Sequence, residues 1–266
     1  MMAARAGADT VVGVEMLPHL CTIADETVAR NGLAGRMIVL NKDVRNVFTS
    51  ETDGLRGGRK PDGSHPELQR KADILVFEVF DAGLIGEGAL HIMHAAHTRL
   101  LAPDVQVVPA AARVFCQLVE WRVQLVQGVN VESLSIYDRR PDYEGVELSN
   151  VPRNQWQPLS EPVRVFDFDF RHVNGGSTRQ LDTTASASGM VNAVVMWFDL
   201  QLDDEEVLST NPYIPGKGPT WQQAIQFVPG VPVCQGDPVC IQAENDSYSI
   251  SYKARWAILS GCEITI

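Results

Sequence analysis

The sequence predicts an α/β domain of the doubly wound type over residues 1–108, followed by an antiparallel β domain, a barrel or sandwich, over residues 109–266. Three observations carry this. Before Pro109, short apolar runs alternate with stretches of helical spacing. Those early runs lack strict alternation, which is the pattern of a parallel sheet covered on both faces. After Pro109, successive runs are joined by Pro, Gly, Asn and Asp turns, several of them alternating apolar with polar.

The elements follow in order. MMAARAGADT has the character of a helix tail, and ADTVVGVEM (8–16) is a short apolar strand closing on an acid, Glu15. Pro18 stands where a first helical turn tolerates it, and HLCTIADETVARNG (19–32) keeps helical spacing up to Gly32. RMIVLNKDV (36–44) is a second strand. The polar, glycine-rich segment 49–71 reads as a surface loop or insertion. ADILVFEVF (72–80) is a third strand, GALHIMHAAHTRLL (88–101) a helix and DVQVVP (104–109) a fourth strand. Beyond it, ARVFCQLVEW, EPVRVFDFDF, MVNAVVMWFDLQL, WQQAIQFVPG, PVCIQAEN and SYSISYKARWAI are strands, with an irregular, arm-like excursion at 131–160.

Composition narrows the function. A net charge of −11 argues against a phosphate grip on nucleic acid, which needs clustered Lys and Arg, and it suits a cationic partner. Five cysteines without a C-x-x-C pair predict reduced, mostly buried thiols in a cytosolic or nuclear protein, with a Cys234–Cys240 bridge disfavoured. No apolar run approaches the roughly 20 residues of a membrane span.

In a doubly wound sheet, ligands sit beyond the carboxyl ends of the strands. Glu15 is at such an end, where an acid can accept bonds from the ribose hydroxyls of an adenosine-bearing cofactor. It can equally be an acid favoured by a helix start. Glu78 also follows an apolar strand, and Glu87 comes from a loop containing Gly83, Gly86 and Gly88, with Asp81 between them. Two adjacent carboxylates repel unless a cation lies between them, and a guanidinium fork fills that place bidentately. The plainer reading has both acids facing water. The glycines favour a backbone that folds Glu87 back towards Glu78. His91, His94 and His97 fan over about 120° of helix, so no metal site is expected. DFDF (167–170) and DDEE (203–206) read as a solvated face and a turn. Trp221, after a Gly/Pro loop, is either core or a pocket wall.

Taken together, MMAARAGADTVVGVEM, ADILVFEVFDAGLIGEGAL, the Pro109 junction and PTWQQAIQF resemble the protein arginine methyltransferases, and their monomethylating branch most of all, over essentially the whole chain. The resemblance implies a Rossmann-like methyltransferase sheet followed by a β-barrel that serves substrate binding and dimerisation. It implies S-adenosyl-L-methionine as methyl donor and arginine-containing proteins as substrates, histones and RNA-binding proteins among them. It also implies a homodimer or tandem pseudo-dimer, with the 131–160 excursion as the dimerisation arm, and no membrane or direct nucleic-acid partner. Glu78 and Glu87 would clamp the guanidinium as the catalytic pair, with Asp81, Trp221 and Gln223 on the substrate side. Glu15 would hold the ribose, and Lys42, Asp43 and Val44 would lie by the adenine.

Two departures stand out. The family's histidine before the barrel tryptophan is absent, since this chain reads Pro219-Thr220-Trp221. The family's first strand and glycine-rich turn would lie before Met1, so the chain reads as a truncated single module. The alternative function is an inactive module that binds arginine-rich proteins or pairs with a full-length partner.

Overall fold

The computed structural model describes residues 1–122, 125–126, 129–130, 142–214 and 221–256. The chain divides into two compact units, Met1–Ile74 with Ile92–Val105, and Leu75–His91 with Gln106–Ile266.

In the first unit a short helix α1 (Met2–Arg5) precedes β1 (Val11–Glu15), α2 (Pro18–Arg30) and β2 (Met37–Asn41). β1 and β2 pair in parallel, with Val11 opposite Met37 and Glu15 opposite Asn41. Pro18 opens α2, where its missing N–H costs nothing. Gly32, at φ 68°, turns the chain out of it, and Leu33 N–H donates back to the Val28 carbonyl at 3.1 Å. Ala4, Val28 and Leu33 form a small core against Val11, Met37 and Val39.

Among the described residues the strands of this region form two separate two-stranded sheets rather than one, and neither is covered on both faces. Met37 and Val39 point to the α2 side, so Ile38 between them points away and is 51% exposed. On β3 (Ala72–Val76), Ile74 is 57% and Val76 69% exposed. The apolar runs are therefore strands, but not of a doubly buried sheet among these residues.

The 49–71 segment is more than a surface loop. Thr49 and Thr52 are buried, and each donates its hydroxyl to the Arg99 carbonyl at 3.0 Å. Thr49 also bridges to Leu68. β3 pairs with β4 (Leu101–Val108), and α3 (Ala89–Arg99) connects them. β3 ends at Val76, two residues short of Glu78, although Phe77 N–H still donates to the Val108 carbonyl at 3.0 Å.

The second unit is antiparallel β structure. Its strands are β5 (Ala111–Trp121), β6 (Leu125–Val126), β7 (Val129–Asn130), β8 (Glu144–Val146), β9 (Trp156–Pro158), β10 (Val163–Asp169), β11 (Ser177–Thr184), β12 (Gly189–Gln201), β13 (Val207–Ser209), β14 (Gln223–Val233), β15 (Pro238–Asn245) and β16 (Ile250–Trp256). The main sheet runs β10-β5-β12-β14-β8, with β9 and β13 at its margins, and a second sheet runs β11-β15-β16. β6 and β7 form a separate small hairpin.

β12 is the central strand. Ala193 through Phe198 are all buried, which is why this stretch reads apolar without alternation. Val119, Trp156, Val195, Trp197 and Ile225 anchor the core. The expected closed barrel is instead two abutting sheets. The buried Gln226 side chain joins them, donating to the Tyr252 carbonyl at 3.0 Å and accepting from the Tyr252 N–H at 2.8 Å. Side-chain bonds do here what a continuous ladder would do in a closed barrel.

Cys21 and Cys116 are buried, Cys234 is exposed, and neither Cys234 nor Cys240 is in a disulfide. Cys262 lies outside the described residues, as do 131–141 of the expected arm and Pro219 and Thr220.

Candidate active site

The residues of the double-glutamate loop all lie in the second unit. The end of the strand is fixed by aromatic packing. Phe77 lies 5.1 Å from Phe80 and from Phe170 between ring centroids, and Phe80 and Phe170 are buried. From there the chain makes two tight turns. Leu84 N–H donates to the Asp81 carbonyl and Gly88 N–H to the Ile85 carbonyl, each at 3.0 Å. Leu84 takes φ 72° and Gly88 takes φ 84°. A leucine in the left-handed region is uncommon, and complete burial of Leu84 and Ile85 holds it there.

Gly83 and Gly86 serve a different purpose from the one their spacing implies. A β-carbon at Gly83 would lie 2.0 Å from Tyr143 Cζ, and one at Gly86 would lie 2.2 Å from Asp81 Oδ2. These glycines permit close approach of a tyrosine ring and a carboxylate to the backbone.

Glu78 and Glu87 are both exposed carboxylates on this turn. Partial burial pushes the Glu87 carboxyl above the usual range, and the charges of Glu78 and Asp81 add to the shift. The loop thus gathers three acids that interact electrostatically, an arrangement that a cation would relieve.

Two tethers shape the loop. Trp221 Nε1 donates to Glu78 Oε1 at 3.1 Å and to the Phe80 carbonyl at 3.0 Å. The indole also packs edge-on to Phe80, with centroids 6.2 Å apart. Where the sequence reading found a histidine missing, the tryptophan of this segment itself bonds the glutamate. On the other side, Tyr143 Oη donates to Asp81 Oδ2 at 2.6 Å, while Asp81 Oδ1 accepts the Gly86 N–H at 2.9 Å. Burial raises the Tyr143 hydroxyl well above its ordinary pKa, and its bond to Asp81 and the charges of Asp81, Asp142 and Asp246 reinforce this.

Both tethers come from one short ladder. β8 pairs antiparallel with β14, Val146 opposite Gln223 and Glu144 opposite Ile225. Tyr143 precedes β8 and Trp221 lies just before β14, so the antiparallel register sets them at opposite ends of the ladder. Gln223 pins the ladder. It is buried, accepts from Leu148 N–H at 3.0 Å and donates to the Thr210 carbonyl at 2.8 Å. Both ends of its amide are thus bonded to backbone groups.

In the first unit, Glu15 ends β1, and its Oε1 accepts the Leu17 N–H at 2.7 Å. Among the described residues no hydrogen bond reaches its Oε2, and Glu15 is half-buried. Asp43 caps the 3-10 turn Val44–Asn46, and its bonds from Arg45 hold its carboxyl below the usual range. Lys42 and Lys60 both bond Glu67 Oε1, while Phe48 N–H donates to Glu67 Oε2 at 3.1 Å. Burial opposes ionisation of Glu67, but the two ammonium groups and the N–H overcome it and bring its pKa to about 2. The side chains of Lys42 and Asp43 are thus both engaged within this unit.

An apolar cleft of about 310 Å³ also touches Glu15, lined by Gly13, Val14, Val28, Met37 and Val39. It lies between α2 and the two strands, with Glu15 at its edge.

Sequence reasoning missed Tyr143 and Glu67. Tyr143 fell inside the irregular 131–160 stretch and Glu67 inside the polar segment 49–71; neither carries a local pattern that marks it.

Comparison with known proteins identifies the family and the fold. Residues 111–255 match the family model of the arginine methyltransferase oligomerization subdomain. A protein arginine N-methyltransferase 7 from Cricetulus longicaudatus is 30% identical over 95% of this chain and 39% of its own length. One from Drosophila ananassae is 28% identical over 96% of this chain and 41% of its length. The chain spans about two fifths of the length of these curated relatives. Among solved structures, the Trypanosoma brucei PRMT1 enzyme–prozyme heterotetrameric complex with AdoHcy superposes with a TM-score of 0.72. That match covers 99% of this chain and 82% of the other at 20% identity, which establishes a shared fold. By fold, the chain is an α/β region followed by a barrel-like antiparallel β domain, the architecture it shares with that structure. The chain belongs to the protein arginine methyltransferase family.

Proposed function

We propose that this chain is the catalytic module of a protein arginine methyltransferase, transferring one methyl group from S-adenosylmethionine to a guanidinium nitrogen of arginine in a protein substrate. The observation that carries this reading is the gathering of Glu78, Asp81 and Glu87 on one turn, with Trp221 Nε1 orienting Glu78.

A guanidinium is a poor nucleophile because its lone pairs are delocalised. Glu78 and Glu87 localise its charge, fix the direction of one terminal nitrogen and accept the proton released by transfer. The raised pKa of Glu87 suits it to be the proton acceptor, since a more basic carboxylate takes a proton more readily. Trp221 holds Glu78 in register from the barrel side. Glu15 binds the ribose through its open oxygen, and the segment Lys42-Asp43-Val44 borders the adenine. The donor, when bound, supplies an electrophilic methyl on a sulfonium sulfur. Arginine-rich proteins such as histones or RNA-binding proteins in the cytosol or nucleus are the substrates in this reading, and the chain pairs with a second copy or a tandem module.

The test is transfer of labelled methyl to an arginine-rich peptide by wild type and Glu87→Gln. Loss of one member of a hydrogen-bonded ion pair costs about 3 kcal/mol, or about 10²-fold in rate. We expect that loss with a melting temperature no lower than that of wild type, because the neutral amide removes a carboxylate repelled by Glu78 and Asp81; Glu87→Gln turnover within tenfold of wild type would overturn the assignment. A folded wild type that binds the peptide without methylating it would favour the inactive binding module.

A further inference from the structure

We propose that Tyr143 is a positioning residue that holds the glutamate loop in its working shape through Asp81. This rests on the reading of that loop as the arginine site.

The bonds of Asp81 carry the argument. Its two carboxylate oxygens point to different partners, Oδ1 to the Gly86 N–H and Oδ2 to the Tyr143 hydroxyl. The first bond closes the loop on itself one residue before Glu87. The second ties the closed loop to the start of β8, which is fixed in turn by its ladder with β14. Asp81 is therefore a brace between Tyr143 and the backbone that presents Glu87, with a bond already made at each oxygen.

The ring of Tyr143 is held as closely as its hydroxyl. It lies so near Gly83 and Gly86 that a β-carbon at Gly83 would sit 2.2 Å from Tyr143 Oη, and one at Gly86 2.5 Å from it. The loop backbone and the phenol are thus in direct contact over both turns. Such a contact fixes where Gly86 stands, and Gly86 fixes where Glu87 starts. The bond also has an electrostatic role. Asp81 is one of the two charges that push the Glu87 carboxyl up, and a phenol donating to Asp81 draws part of that charge away from Glu87.

Tyr143→Phe removes the hydroxyl and keeps the ring against the glycines, so the fold is retained. Hydrogen exchange at the Gly86 amide, followed by NMR on the 266-residue chain, reads the brace without requiring activity. We expect exchange at Gly86 to rise about tenfold in Tyr143→Phe, and to rise no further when Tyr143→Phe is added to Asp81→Ala. In methylation assays kcat falls by a similar factor, while KM for S-adenosylmethionine stays within twofold. Unchanged Gly86 exchange in Tyr143→Phe overturns the proposal. So does an equal further rise in the Asp81→Ala background, because the hydroxyl would then act by another route. Faster exchange with unaltered kcat also overturns it, by separating the brace from function. A wild type that shows the exchange pattern but never methylates arginine sinks the functional reading and leaves the brace standing.

Discussion

Replacing Trp221 with phenylalanine deletes one N–H and keeps an aromatic ring against Phe80 and Phe198, whose centroids lie 6.2 and 6.0 Å away. That N–H is shared between Glu78 Oε1 at 3.1 Å and the Phe80 carbonyl at 3.0 Å. A hydrogen bond to a charged group contributes about 1.5–3 kcal/mol when undivided. Sharing and the exposure of Glu78 bring the Glu78 part to about 1 kcal/mol, or about fivefold in rate if it is felt at the transition state. The assay is steady-state methylation of an arginine-rich peptide, with donor affinity measured separately by calorimetry. We expect kcat/KM for the peptide to fall about fivefold, with donor binding unchanged. A loss below twofold would refute the orienting role. A loss matched by equally weakened donor binding would refute it too, because the bond in question is made to Glu78 and not to the residues proposed to hold the donor.

Other predictions concern pH, folding and the glycines. The acid limb of the kcat/KM profile should lie above 4.5, the ordinary value for Glu87, because a protonated Glu87 cannot pair with a guanidinium. Asp81→Asn should move that limb down; an unmoved limb would count against the coupling. The folded chain holds the Glu87 proton more tightly than the unfolded chain does, so Glu87 costs stability as pH rises above 4.5. Glu67 has the opposite sign: its carboxyl is depressed to about 2, so its contribution is present above 4.5 and lost as pH falls towards 2. Glu67→Gln should therefore lower stability by about 2 kcal/mol at neutral pH, measured by urea unfolding, with the difference shrinking in acid. Gly83→Ala should expel the Tyr143 ring and lower kcat about tenfold, and an alanine variant of wild-type activity would show that the contact is dispensable.

Local chemistry was legible in the sequence by itself. Pro18 and Gly32 mark the ends of α2 because proline lacks an N–H and glycine accepts positive φ, and both effects act within a turn of the chain. The order of strands and helices rests on similarly short-range signals. What depends on partners distant in sequence was not legible. The unalternating strands 36–44 and 72–80 gave no sign that Ile38, Ile74 and Val76 face outward, because an apolar run looks the same whether or not a second layer covers it. Closure of the barrel depends on register across many residues, and the break between β14 and β16 bridged by Gln226 is a long-range outcome. The same holds for the site. Sequence spacing could place two glutamates on one loop, but Trp221 reaches Glu78 across 143 positions and Tyr143 reaches Asp81 across 62, and only the antiparallel ladder of β8 with β14 brings those tethers to the loop.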